Sequence, residues 1–100
     1  MSRASASSFS ANSRFVACSD QISCELDGEA AILNLKTGFY FGLDPIGAEI
    51  WRMLTVPRRL CEIVDAISSG YDVAPDRCER DLAALLRDLH KHGLIETRDE

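Results

Sequence analysis

Residues 27–54 read DGEAAILNLKTGFYFGLDPIGAEIWRML: two apolar strands around a Lys-Thr-Gly turn, followed directly by a capped helix. Ala31, Leu33 and Leu35 alternate with Ala30, Ile32 and Asn34 at the two-residue period of a strand. Asp27-Gly28 makes the turn before it, and Gly38 supplies the positive φ that a tight hairpin needs after it. In the next strand Phe39, Phe41 and Leu43 share one face, while Tyr40 and Gly42 point the other way. No later stretch reads as a strand, so 39–43 is expected to end the sheet as an unpaired edge. Its N–H and C=O groups then seek a partner, and the segment has no proline or charge to blunt it. A peptide strand, a loop, the N-terminal tail or a second copy of the chain would each satisfy such an edge.

The helices are marked by their punctuation. Asp44-Pro45 is an N-cap followed by proline at the first helical position, where its missing N–H costs nothing. The helix it opens is expected to reach about residue 54, with Ile46, Ile50 and Leu54 on one stripe and Trp51 beside it. Val56-Pro57 ends the connection, and Leu60, Ile63, Val64 and Ile67 repeat at amphipathic spacing before Gly70 closes the second helix. Pro75 opens the longest helix, whose apolar stripe is Cys78, Leu82, Leu85, Leu86 and Leu89, with Gly93 as its C′ residue. Ala74 is a poor N-cap there, so Asp72 or Asp76 is expected to serve the first N–H groups. Leu94 and Ile95 then fold back onto the core.

Toward the N-terminus, 15–18 and 22–26 are short strand candidates separated by Ser19-Asp20-Gln21, and at least one should join the sheet. The expected fold is α+β, a three-stranded antiparallel sheet followed by three helices. With the second and third helices crossing, this is a winged helix-turn-helix with its wing at the front.

A chain of 100 residues, 46% hydrophobic, has surface enough for one core, placed here in a domain at 15–97. Residues 1–14 are Ser/Ala-rich, carry Arg3 and Arg14 without an acid, and read as a disordered tail, although that composition superficially suits a transit peptide. No apolar run approaches the roughly 20 residues needed to span a bilayer, and the expected location is cytoplasmic. Cys18, Cys24, Cys61 and Cys78 have neither the close pairing of a zinc site nor the density of a disulfide scaffold, so they read as buried or half-buried thiols.

No catalytic constellation assembles. His90 and His92 lie two apart on a helix and point in different directions, as solvated helix-end histidines would. There is no phosphate-binding glycine loop, and no metal, cofactor or catalytic residue is expected. The competing reading is a winged-helix transcriptional regulator that inserts its third helix into DNA. The net charge of −5 opposes it, and on that helix Arg77, Arg80, Arg87 and Lys91 are offset by Asp76, Glu79, Asp81 and Asp88.

The hairpin ILNLKTGFYFGL, the capped helix DPIGAEIW, the segment LCEIVDAISSGYDV and the last helix DLAALLRDLHKHGLI occur in an order and spacing that resemble the PqqD-like proteins, the precursor-peptide recognition elements. The resemblance covers about 22–96. It implies a winged helix-turn-helix that has given up DNA and binds the leader of a ribosomally made precursor peptide by strand addition. It also implies delivery of that leader to a modifying enzyme or a leader peptidase. Carried onto this chain, the edge is Phe39, Tyr40, Phe41, Gly42 and Leu43, and the facing helix wall contributes Arg77, Cys78, Asp81, Leu82 and Leu85. The Lys-Thr-Gly turn departs from the members serving pyrroloquinoline quinone synthesis and is more similar to the free-standing recognition proteins of lasso-peptide pathways. Expected partners are therefore a leader and its processing enzyme, with no nucleic acid and no membrane, on a monomer or weak dimer.

Ordering a leader costs roughly 1–2 kcal/mol per residue, more than main-chain hydrogen bonds of about 1 kcal/mol each return. Apolar anchors worth about 1.5–3 kcal/mol apiece must supply the rest. That reasoning puts an apolar pocket between Tyr40 or Phe41 and the third helix.

Overall fold

The computed structural model describes residues 13–98. The tail assigned to 1–14 lies outside the described residues as far as residue 12, and Arg14 opens the first strand. In chain order the elements are β1 (Arg14–Ala17), β2 (Gln21–Leu26), β3 (Glu29–Asn34), β4 (Tyr40–Leu43), α1 (Pro45–Met53), β5 (Arg58–Arg59), α2 (Leu60–Gly70), α3 (Pro75–Lys91) and β6 (Ile95–Arg98). The architecture is α+β, with α2 and α3 packed together behind the front hairpin in winged helix-turn-helix order.

The strands form two antiparallel three-stranded sheets, β2-β3-β4 and β5-β1-β6. The first is the expected one, joined by β2 and turned at Asp27-Gly28, where φ is 54° and 84°, and at Gly38, where it is 77°. The second corrects the expectation that no strand follows Leu43. β5 is only two residues long, and β6 reads IETR with one buried apolar residue. Its ladder partner comes from the far end of the chain, Ala17 opposite Ile95 and Arg14 opposite Arg98, so no local pattern advertises it.

The core lies between the inner face of β3 and the three helices. Ala30, Ile32 and Leu43 meet Ile50, Trp51 and Leu54 of the α1 segment, Ile63, Val64 and Ile67 of α2, and Cys78, Leu82, Leu86 and Leu89 of α3. Phe15, Leu94 and Ile95 close it from the second sheet. Ile46, expected on the same stripe as Ile50, is 36% exposed, because the first turn of α1 overhangs a groove and not the core. Cys24 and Cys61 are exposed, contrary to expectation: the first sits on a sheet face no helix covers, the second off the buried stripe of α2. Nor does Asp72 or Asp76 cap α3, whose N-cap Ala74 has no side-chain hydrogen bond. Pro75 removes one of the donors that needed serving, and the Asp76 charge favours the positive helix end.

Asn34 is the polar exception on the inner face of β3, 4% exposed. Its Oδ1 accepts from the backbone N–H of Lys36 (2.8 Å) and Thr37 (3.2 Å), and its Nδ2 donates to the His92 carbonyl at 2.8 Å. One amide thus shapes the hairpin turn and binds it to the C-terminal end of α3.

Candidate functional site

Among the described residues β4 is bonded to β3 alone, in the register Ala30–Leu43, Ala31–Gly42, Ile32–Phe41 and Leu33–Tyr40. The Asn34 N–H donates to the Phe39 carbonyl at 2.8 Å just ahead of that ladder. Antiparallel pairs alternate between bonded and non-bonded, so residues 32 and 41 and residues 30 and 43 exchange the next bonds. The N–H and C=O of Tyr40 and Gly42 therefore face outward, unclaimed by β3. Other sheet edges are blunted by charge: β2 carries Glu25, β5 is Arg58–Arg59, and β6 holds Glu96 and Arg98. β4 reads YFGL and has none.

Along the inner side of this edge runs a groove of ≈ 500 Å³. Phe41, Gly42 and Leu43 form one wall, Cys78, Asp81, Leu82 and Leu85 of α3 the other. Its floor and end come from Ile46, Gly47 and Ile50 of α1, Ile67 of α2 and Val73 of the link to α3. Gly47 lets α1 start this close, since a Cβ there would stand 3.1 Å from Leu43 and 3.2 Å from the capping Asp44 carboxylate. That carboxylate accepts the Gly47 N–H at 2.7 Å.

The structure thus brings together seven of the ten residues singled out from the sequence: Phe41, Gly42, Leu43, Cys78, Asp81, Leu82 and Leu85. The other three stand elsewhere. Phe39 lies ahead of β4 and stacks on His92, with ring centroids 3.7 Å apart and planes 6° from parallel, so His92 is not a merely solvated helix end. Tyr40 is 67% exposed on the outer face of the sheet. Arg77 pairs with Asp81 one helical turn on, at 3.8 Å between exposed side chains, a contact that orders little. Sequence reasoning missed Ile46, Ile50, Ile67 and Val73. The available signal was Ile46 itself, an apolar residue in the first turn of a helix that abuts an open strand.

The groove is apolar apart from Asp44 and Asp81. Burial, and then the Asp81 carboxylate, push the Cys78 thiol up from its ordinary pKa, the opposite of what activates a cysteine nucleophile. Among the described residues no three His, Cys, Asp or Glu side chains gather to hold a metal ion, and no helix is long and apolar enough to cross a membrane. An open, uncharged strand edge beside an apolar groove accepts an extended chain: main-chain bonds along Tyr40 and Gly42, alternate side chains toward α3.

A solved structure of TbiB1 in complex with the TbiA(beta) leader peptide shares 40% identity and superposes with a TM-score of 0.77, over 85% of this chain and 99% of that one. A lasso peptide synthetase B1 complexed with the leader peptide shares 24% identity at a TM-score of 0.72, over 82% of this chain and 96% of its own, a likeness of fold. No curated protein matches the chain. The family described as coenzyme PQQ synthesis protein D (PqqD) matches residues 29–95, from the start of β3 to the start of β6, and the chain belongs to that family.

Proposed function

We propose that this protein holds the leader segment of a ribosomally made precursor peptide as an added strand on β4 and delivers it to a separate modifying or leader-cleaving enzyme, in a pathway of the lasso-peptide type. The observation that carries the reading is the uncharged β4 edge lying along the apolar groove. The 40%-identical TbiB1, solved with a leader peptide, supports it. Phe41, Gly42, Leu43, Cys78, Leu82 and Leu85 supply the groove contacts, and the outward N–H and C=O of Tyr40 and Gly42 supply the ladder. The protein's own contribution is binding, and the bond-making chemistry belongs to its partner. The duplex-DNA alternative is opposed by the net charge of −5, and on α3 the stripe Arg77, Arg80, Arg87 and Lys91 is flanked by Asp76, Asp81 and Asp88.

Fluorescence anisotropy tests the reading with two labelled probes, the TbiA(beta) leader peptide and the leader of the precursor encoded beside this chain's own gene. Gly42→Pro removes an outward ladder donor while leaving the β3 bonds of Phe41 and Leu43 in place. It should weaken binding by about tenfold or more, the loss of one or two ladder bonds, with thermal unfolding little changed. Equal binding by parent and variant, or no binding of either probe, would remove the proposal.

A further inference from the structure

The inner groove explains only half of an added strand. Successive side chains of a strand point to opposite faces, and residues opposite one another in a ladder share a face. A peptide residue facing Phe41 or Leu43 therefore enters the groove toward α3, whereas its neighbour, facing Tyr40 or Gly42, emerges on the outer face of the sheet. That holds for either strand direction.

The outer face is not flat where this neighbour lands. Cys24, Ala31 and Gly42 stand in one row across β2, β3 and β4, the three smallest side chains on that face. The bulky Ile22–Leu33–Tyr40 row bounds them on one side and Leu26 on the other. The result is a cleft of ≈ 590 Å³ whose floor is Cys24, Ala31 and Gly42, with Leu26 and Tyr40 as walls. Gly42 has an ordinary negative φ and nothing within 4 Å of where a Cβ would sit. Neither its backbone nor its packing calls for glycine, so what it contributes is room beside the open edge. Asp27, Glu29 and Asp44 rim the cleft, and among the described residues no Lys or Arg lines it.

We infer that this outer cleft is a second side-chain subsite, one that takes an arginine or lysine of the bound peptide. The aliphatic stem lies over Ala31 and Gly42 between Leu26 and Tyr40, and the cationic head reaches the Asp27, Glu29 and Asp44 carboxylates, as long basic side chains do at apolar surfaces with a polar rim. The subsite rests on the strand-addition reading and deepens it. The recognised segment then pairs an apolar residue directed at α3 with an immediately adjacent basic residue directed outward. An acidic residue at the outward position meets three like charges.

The test is a positional scan of the fluorescein-labelled TbiA(beta) leader peptide, each residue replaced in turn by arginine and by glutamate. Binding is measured to the parent, to Gly42→Val, which fills the cleft but keeps the N–H, and to the double variant Asp27→Asn/Glu29→Lys, which brings the net charge of the rim from −3 to zero. The parent should prefer arginine to glutamate by about tenfold at a position next to one where an apolar residue is indispensable. The preference should collapse both in Gly42→Val and in the rim variant. Equal affinity for the two residues at every position, or a preference that survives both substitutions, overturns the outer subsite and leaves the strand-addition reading standing. No binding of any scanned peptide to the parent removes both.

Discussion

Asn34 shows how much one buried amide can hold. It serves two N–H groups of the hairpin turn and a carbonyl at the end of α3, and leaving such buried groups unserved costs about 1–3 kcal/mol. Asn34→Ala should lower stability by about 2–3 kcal/mol, a fall in melting temperature of about 10 °C or more for a domain this size. Thermal unfolding by circular dichroism measures it, and a shift of a degree or two would mean that water serves the turn equally well. Gly93 sits opposite, with φ at 72° and space so tight that a Cβ would come within 3.0 Å of the Asn34 Nδ2. The sequence made Gly93 legible as a helix terminator. It showed Asn34 only as one member of an alternating strand, because its partner lies 58 residues away.

At the scale of elements, the hairpin and all three helices were legible because each carries its own period and punctuation, and Asp44-Pro45 fixed the start of α1. β5 and β6 were not, since two- and four-residue strands exist only by virtue of β1, to which both are bonded. β5 runs directly into α2, where Glu62 Oε1 accepts the Arg59 backbone N–H at 2.8 Å. That bond, followed by the nearby Arg59, Arg58 and Arg14 charges, holds the Glu62 carboxyl below the usual carboxylate range. A depressed folded-state pKa stabilises at pH above the unfolded value and is lost as pH falls through the folded one. The melting temperatures of parent and Glu62→Gln should therefore differ at neutral pH and converge on acidification below the ordinary carboxylate range. A difference independent of pH would assign the effect to shape alone.

Taken whole, the site was half legible. The strand edge follows from the hairpin's own signals and the wall on α3 from the family resemblance, but the floor draws on α1, α2 and the link before Pro75, which only the packed fold brings together. The proposed role, holding a leader for a separate enzyme, predicts a gain in local substrate concentration for that enzyme with no contribution to the transition state. Precursor incubated with it alone should keep its mass. Addition to the partner enzyme should accelerate processing at low precursor and cease to matter at saturation, as time courses by mass spectrometry would show; an effect that persists at saturation would point to a role in the chemical step. The β1–β6 ladder has a consequence of its own. Arg14 and Arg98 face each other across it, so both ends of the described chain depart from a single point. A tether or an entire enzyme fused at either end hangs from the same peg, and the order of fusion should be a matter of indifference to the peptide being handed over.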